Sequence, residues 1–269
     1  MLRNNFFYKN IPNFFTLTNL FFGVISIVLA SEGNENLVLA SYFIYFAAVF
    51  DFFDGFAART LKVSSIVGKE LDSLADMVSF GLAPSFLVYQ ILKHSLQIKQ
   101  FSFSLPFTDI LMLMSAFLIA IFSAVRLAKF NVDERQKETF LGLATPACAM
   151  LIASIPFISQ FNTNDLIAFP ALSNNIYFFL GTVMFGIFII KPIVLIPLVF
   201  LLSALLVVEM PMFSMKFKTY NFEENKLKYF FIIFSLVLFI TLQVLAVPII
   251  FILYISFSIF NNILDKKIL

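Results

Sequence analysis

The sequence predicts an all-α, polytopic membrane protein, a bundle of apolar helices with no soluble domain. Three observations lead there. Of 269 residues, 61% are hydrophobic and 13% charged, with a mean hydropathy of +0.96; a soluble domain carries about 25% charged residues. The apolar residues fall in long runs, and about 20 are needed to cross a hydrocarbon core of roughly 30 Å. The basic residues gather at the ends of those runs and mostly on alternate connections, the positive-inside pattern.

Taken in order, the predicted spans lie at about 13–31, 36–60, 69–92, 107–129, 142–160, 174–190 and 193–209, followed by an apolar stretch at about 228–263. That last stretch exceeds one ordinary span, and Pro248 is expected to kink or divide it. With the N-terminus inside, Arg3, Lys9, Arg59, Lys62, Lys69, Arg126, Lys129, Arg135, Lys137 and Lys191 fall on the cytoplasmic side, against Lys93 and Lys99 outside. The pattern then fails: Lys216, Lys218, Lys226 and Lys228 cluster in a loop that simple alternation puts outside. Either the 193–209 span is wrong or that loop breaks the rule. One membrane domain is the simplest organisation, residues 1–190 as a core and 191–269 as an appendage. Residues 1–12, with Phe6, Phe7, Tyr8 and Ile11 beside Arg3, Asn4, Asn5 and Lys9, read equally as an interfacial helix or as a tail. The first apolar run lacks a clean small-residue cleavage site and holds Thr16, Thr18 and Asn19, so it reads as a retained span.

Composition removes several function classes. A net charge of +2 implies no nucleic-acid surface. The single Cys148 rules out an intrachain disulfide framework and a multi-cysteine zinc site, and its apolar surroundings suit packing. The single His94 stands in a polar loop far along the chain from any acidic cluster and reads as incidental. With 39 Phe and no Trp, tyrosines and lysines mark the interfaces.

Against this background Asp51, Asp54, Asp72 and Asp76 stand out. A charged group at a helix centre costs roughly 2.5–3.5 kcal/mol on insertion scales, and packing requires no such cost four times over. A site for hard divalent cations explains it, because these take oxygen ligands. Asp51 and Asp54, at i and i+3, lie about 60° apart on one helix face; Asp72 and Asp76, at i and i+4, lie about 40° apart. The short segment around 60–67 makes the two helices antiparallel neighbours, so both pairs point at one cavity near the inner interface. Four clustered acids repel unless cations intervene, and two metals about 3.5–4 Å apart are a recurring arrangement in phosphate chemistry. Gly55 and Ala58 leave room for a ligand at the helix backbone, Gly68 precedes Asp72 by one turn on the same face, Arg59 offers a fork for phosphate, and Ser65 adds a hydroxyl. The bland alternatives are close helix packing for the small residues and interfacial anchoring for Arg59 and Lys62.

Residues 51–76 read D-x-x-D-G-x-x-A-R-x8-G-x-x-x-D-x-x-x-D. This resembles the signature of the CDP-alcohol phosphotransferase family at every fixed position. The resemblance implies a six-helix membrane core, extended here by two or three C-terminal transmembrane helices, and a homodimer. It implies that Asp51, Asp54, Asp72 and Asp76 hold two divalent cations, Mg2+ or Mn2+, and that Asp76 is also the catalytic base. It implies contacts to the CDP-diacylglycerol donor from Gly55, Ala58, Arg59, Ser65 and Gly68, and to the nucleotide from Asn13 and Thr16.

The acceptor is read from flanking sequence. Leu71-Asp-Ser-Leu-Ala-Asp-Met-Val-Ser79-Phe-Gly-Leu-Ala-Pro84, Arg126-Leu-Ala-Lys-Phe-Asn131 and Phe140-Leu-Gly-Leu-Ala144-Thr-Pro-Ala147 are similar to the family's serine-accepting branch, with Ala144 where that branch usually has proline. The resemblance spans about residues 10–160 and implies transfer of a phosphatidyl group from CDP-diacylglycerol to L-serine, giving phosphatidylserine and CMP. L-Serine is a zwitterion, and Ser79, Arg126 and Asn131 are candidates to bind it; their bland roles are backbone bonding, helix-end charge and a helix cap. The expected location is a bacterial inner membrane with the site facing the cytoplasm. Two rivals are a sister transferase accepting glycerol 3-phosphate or inositol phosphate, which would want extra cations at the site, and a cation transporter, which would want acids at the membrane midplane.

Overall fold

A computed structural model describes residues 6–63, 65–133, 141–159, 184–212 and 222–268. Its helices are α1 (Phe6–Glu32), α2 (Leu37–Leu61), α3 (Ile66–Asp76), α4 (Ala83–Ser95), α5 (Phe107–Ser115), α6 (Leu118–Val132), α7 (Thr145–Ser159), α8 (Pro192–Val207), α9 (Phe222–Leu242) and α10 (Ala246–Ile268). No strand occurs among the described residues; a lone β-bridge joins Leu141 to Pro211. Five helical stretches are long and apolar enough to cross a membrane: Asn10–Glu32, Asn34–Leu61, Ile66–Ser95, Phe107–Val132 and Asn225–Leu242. Three shorter apolar helices, Thr145–Ser159, Pro192–Val207 and Ala246–Phe260, pack among or beside them. The protein is a multi-pass integral membrane protein, all-α as the composition predicts.

Helices α1 and α2 form an antiparallel hairpin, pinned by Ser26 Oγ donating to the Ala40 carbonyl at 2.8 Å. Lys62, at φ 53°, closes α2 by returning its N–H to the Ala58 and Arg59 carbonyls, and Ser65 opens α3 by accepting the Gly68 N–H at 2.9 Å. A left-handed stop followed directly by an N-cap reverses the chain within a few residues. This is why the two aspartate-bearing helices lie side by side.

Between α3 and α4 the chain widens into a π-helical turn, Met77–Leu82. Pro84 has no N–H and its ring collides with the carbonyl four residues back; the wider turn lets the Ala83 N–H reach the Val78 carbonyl instead. Ser85 extends the repair, donating to the Gly81 carbonyl at 2.8 Å and accepting the Ala120 N–H at 3.1 Å. Such turns recur at functional sites, and this one begins one residue after Asp76. The core below it holds Ile44, Phe80, Leu87, Leu113, Ile152 and Leu202.

Two sequence expectations change. The expected span at 174–190 falls mostly outside the described residues, but the helical turn at 184–189 carries Gly186 against the Ile158 carbonyl and Ser159. Lys191 shares a cavity with Ser95, Leu96 and Met112, at the end of the bundle opposite the aspartates. It therefore does not belong with Arg126 and Lys129, where alternation put it. Helix α8 runs back from there: Leu143 N–H reaches the Leu205 carbonyl at 2.8 Å and Gly142 N–H the Met210 carbonyl at 2.9 Å, so α8 ends beside the α6–α7 connection. The conflict over the later lysines follows from that misplacement, because the chain leaves α8 at the aspartate end, ahead of Lys226 and Lys228. Lys216 and Lys218 lie outside the described residues. The second change concerns the final apolar stretch. It is divided as one alternative required, but at Gln243–Leu245, where Gln243 has φ 51°. Pro248 sits in the first turn of α10, where its missing N–H goes unneeded.

Candidate functional site

Helix α2 delivers Asp51 and Asp54, and α3 delivers Asp72 and Asp76. Carboxylate oxygens of Asp51, Asp72 and Asp76 all lie within 4.8 Å of one another. Asp54 stands beside this trio and is held separately: Thr16 Oγ1 on α1 donates to its Oδ2 at 2.8 Å and to the Pro12 carbonyl at 3.1 Å. Three oxygens this close are a donor set for a hard cation, which would relieve their mutual repulsion. The soft or nitrogen ligands are elsewhere, Cys148 buried in α7 and His94 at the opposite end.

Beside the trio opens a pocket of about 200 Å³. Asn13, Thr16, Asp54, Gly55, Ala58, Ser65, Gly68 and Asp72 line it, together with Pro12, Val63 and Lys69. Most of the residues expected to meet the donor are thus brought together. Gly68 is required by space: a Cβ there would come within 2.9 Å of both Asn13 Oδ1 and Ser65 Oγ. At Gly55 a Cβ would meet Arg59 Nη1 at an ordinary 3.5 Å, so its value lies in the open pocket wall. Arg59 is exposed one turn beyond.

A profile of the CDP-alcohol phosphatidyltransferase family matches residues 9–188. The chain belongs to this family. Among curated proteins it is similar to the CDP-diacylglycerol–serine O-phosphatidyltransferase of Bacillus subtilis, 37% identical over 147 residues, 55% of this chain and 75% of that protein. It is also 37% identical over 143 residues to the protein of the same name from Helicobacter pylori strain J99, of which it covers 54%. The archaetidylserine synthase of Methanothermobacter thermautotrophicus is 33% identical over 146 residues, with 56% of that protein covered. The match thus spans about half the length of these last two relatives.

In this CDP-alcohol phosphatidyltransferase the serine-binding candidates are dispersed. Ser79, fully buried, donates to the Asn19 main-chain carbonyl at 3.0 Å and locks α1 to the π turn. Asn131 donates to Ser73 Oγ at 2.9 Å, and its carbonyl accepts Lys69 Nζ at 2.9 Å, fastening α6 to α3. Arg126 is 7% exposed; its Nη1 donates to Thr145 Oγ1 at 3.3 Å and its guanidinium lies 5.8 Å over the Phe130 ring. Its Nε has no hydrogen-bond partner among the described residues, and the Asp76 carboxylate is among its charged neighbours.

Asn19 is a site residue that sequence reasoning missed. Fully buried on α1, it donates from Nδ2 to Asp76 Oδ1 at 3.4 Å, while its Oδ1 has no partner among the described residues. The signal was present: an amide three residues after Thr16 in an apolar span shares its helix face, and a buried amide in hydrocarbon needs a partner. Thr145 and Lys69 are likewise legible only once helices are placed.

Proposed function

We propose that this protein transfers a phosphatidyl group from CDP-diacylglycerol to the hydroxyl of L-serine, giving phosphatidylserine and CMP. The observation that carries the chemistry is the convergence of Asp51, Asp72 and Asp76 next to a pocket lined by Asp54, Gly55, Ala58 and Gly68 of the motif. The names of the relatives and the buried Arg126 support serine as acceptor.

Asp51, Asp54, Asp72 and Asp76 are the ligands of two divalent cations, Mg2+ or Mn2+, which when bound supply charge stabilisation at the diphosphate and the departing phosphate. Thr16 keeps Asp54 oriented, and Asn19 does the same for Asp76. Asn13, Gly55, Ala58, Arg59, Ser65 and Gly68 receive the CDP portion, the acyl chains remaining in lipid. Asp76 takes the proton from the serine hydroxyl. The serine oxygen forms its bond to the lipid-side phosphorus as the bond from that phosphorus to the CMP oxygen breaks. The acceptor supplies its own nucleophile, so a single displacement suffices. Arg126 holds the serine carboxylate. Ser79 and Asn131 act by fixing α1, α3 and α6 around the acceptor.

Residues 1–190 form the catalytic core, a division supported by the family match ending at residue 188, and 191–269 add helices to it. The location is a bacterial inner membrane with the site facing the cytoplasm; the basic residues gathered at the aspartate end support that orientation. The family resemblance supports a homodimer.

The test is CMP release by purified protein with CDP-diacylglycerol and Mg2+ or Mn2+, comparing L-serine, glycerol 3-phosphate, inositol phosphate and no acceptor. Serine-dependent release with phosphatidylserine as product is expected. Release with another alcohol alone overturns the acceptor; no release, with cation flux in proteoliposomes, overturns the reaction.

A further inference from the structure

The end of the bundle opposite the aspartates carries a polar cavity of about 470 Å³ and an apolar groove of about 670 Å³. One strip of chain divides them: Ser95 and Leu96 face the groove, Gln97 and Ile98 the cavity. Lys93, His94 and Lys99 bring basic groups to the cavity, where the one lining carboxylate is Glu32. Lys191 stands at the groove, whose walls include Leu96, Met112, Ile193, Ile196 and Pro197. We propose that these two spaces together bind one anionic phospholipid, its phosphate among the lysines and an acyl chain in the groove. The site is separate from the aspartates and does not rest on the transfer reaction proposed above.

Depth is the first observation that points to a lipid. The membrane-crossing stretches Asn10–Glu32 and Ile66–Ser95 both end at the cavity. A space where two spans end lies at the level of the headgroups, and a groove between the starts of α5 and α8 borders the hydrocarbon. A polar space next to an apolar one at that depth suits an amphiphile. The cations are also left available. Gln90, 5% exposed, donates from Nε2 to the Ala30 and Ser31 carbonyls at 2.7 and 3.2 Å, closing the last turn of α1. The Lys93 and His94 carbonyls accept the Ile98 and Gln97 N–H groups at 2.9 and 3.0 Å, closing α4. Among the described residues no ion pair occupies Lys93, Lys99 or Lys191. Finally, the turn keeps a side chain where glycine is favoured: Gln97 has φ 57°, and it lines the cavity.

The charges identify the class of lipid. On the orientation proposed above this end faces away from the cytoplasm, where cations are infrequent, yet three lysines border these two spaces. They suit a phosphodiester with net negative charge. A zwitterionic lipid brings the same phosphate with an ammonium that the lysines repel. Each lysine engaged near a membrane surface favours the anionic lipid by about fivefold.

The chain has no Trp, so a single introduced one reports alone. The test uses the full-length protein in phosphatidylcholine bilayers titrated with brominated phosphatidylglycerol or brominated phosphatidylcholine, which quench a neighbouring indole. Ile193→Trp places the reporter in the groove, and Ile240→Trp, exposed on α9, is the reference. Brominated phosphatidylglycerol is expected to win over brominated phosphatidylcholine by about fivefold or more at 193, and by much less at 240. Lys93→Gln with Lys99→Gln is expected to bring the ratio at 193 down to that at 240. Gln97→Gly is expected to lower it without lowering Tm, since glycine accepts the turn. A ratio at 193 no higher than at 240, or one that survives the double lysine substitution, overturns the inference. A ratio abolished by inorganic phosphate assigns the cations to a free anion and overturns the lipid.

Discussion

Gly23 touches no reacting group, yet its replacement by alanine is expected to damage catalysis. Helix α1 passes the π turn at this residue so closely that a Cβ would lie 2.8 Å from Ser79 Cα and closer still to Ser79 Oγ. Carbon atoms rest at about 3.5–4.0 Å, so α1 must retreat by roughly 0.7 Å or more at that point. The retreat pulls on the Ser79–Asn19 bond of 3.0 Å, and through Asn19 on its 3.4 Å contact with Asp76. Overpacking of this kind costs about 1–3 kcal/mol of stability, and a misplacement of about 1 Å near reacting groups costs as much as about 100-fold in rate. Gly23→Ala is therefore expected to lower Tm and to reduce kcat for serine-dependent CMP release by about 10–100-fold. Adding Ser79→Gly removes the hydroxymethyl group but not the Cα, so rescue should be partial. Wild-type Tm and kcat in Gly23→Ala would refute the close approach and the chain of positioning built on it.

Other substitutions separate chemistry from binding. Asp76→Asn should abolish turnover while the folded protein keeps its thermal transition; normal turnover would remove Asp76 as base. Thr16→Val deletes the 2.8 Å bond to Asp54, a loss of about 1.5–3 kcal/mol for a charged acceptor, and should raise the Mg2+ or Mn2+ concentration needed for half-maximal activity. Chelation should silence the enzyme, and either ion should restore it. Gly68→Ala should raise KM for CDP-diacylglycerol and leave KM for serine unchanged, because its Cβ would intrude on Asn13 and Ser65. Arg126→Lys should raise KM for serine, a point charge replacing a planar fork.

The aspartates were legible because hydrocarbon makes charge conspicuous: four acids at helical spacing in apolar spans admit few explanations. The α2 and α3 part of the pocket was legible for a similar reason, since those residues fall within two adjacent helices and their turn, and local spacing fixes which faces meet. What was not legible depends on distant packing. Asn19 reaches Asp76 across 57 positions, and Arg126 and Thr145 meet only after α6 and α7 are placed. Lys191 was put at the wrong end because alternation assumes that every apolar run crosses. Gly186, shortly before it, lies against Ile158 and Ser159 at the far end of α7. The π turn leaves its trace in Pro84, but proline alone does not say whether a helix kinks, ends or widens.

Single displacement at phosphorus requires the nucleophile and the leaving group to lie on opposite sides, roughly in line. A site in one open cleft would need substrate alone to enforce that arrangement. Here the pocket proposed for the donor opens between α1, α2 and α3, and a second cavity, bordered by Arg126, lies between α6 and the end of α8, with no lining residue in common. Asp72 belongs to the wall of the first and Arg126 to the wall of the second. The same division accounts for the chain's composition of roles. A transferase can keep its donor machinery in a compact local motif and vary the acceptor through remote helices. Under the proposed reading, substitution of Arg126 should change KM for the acceptor without changing KM for the donor, and substitution of Gly68 should do the reverse.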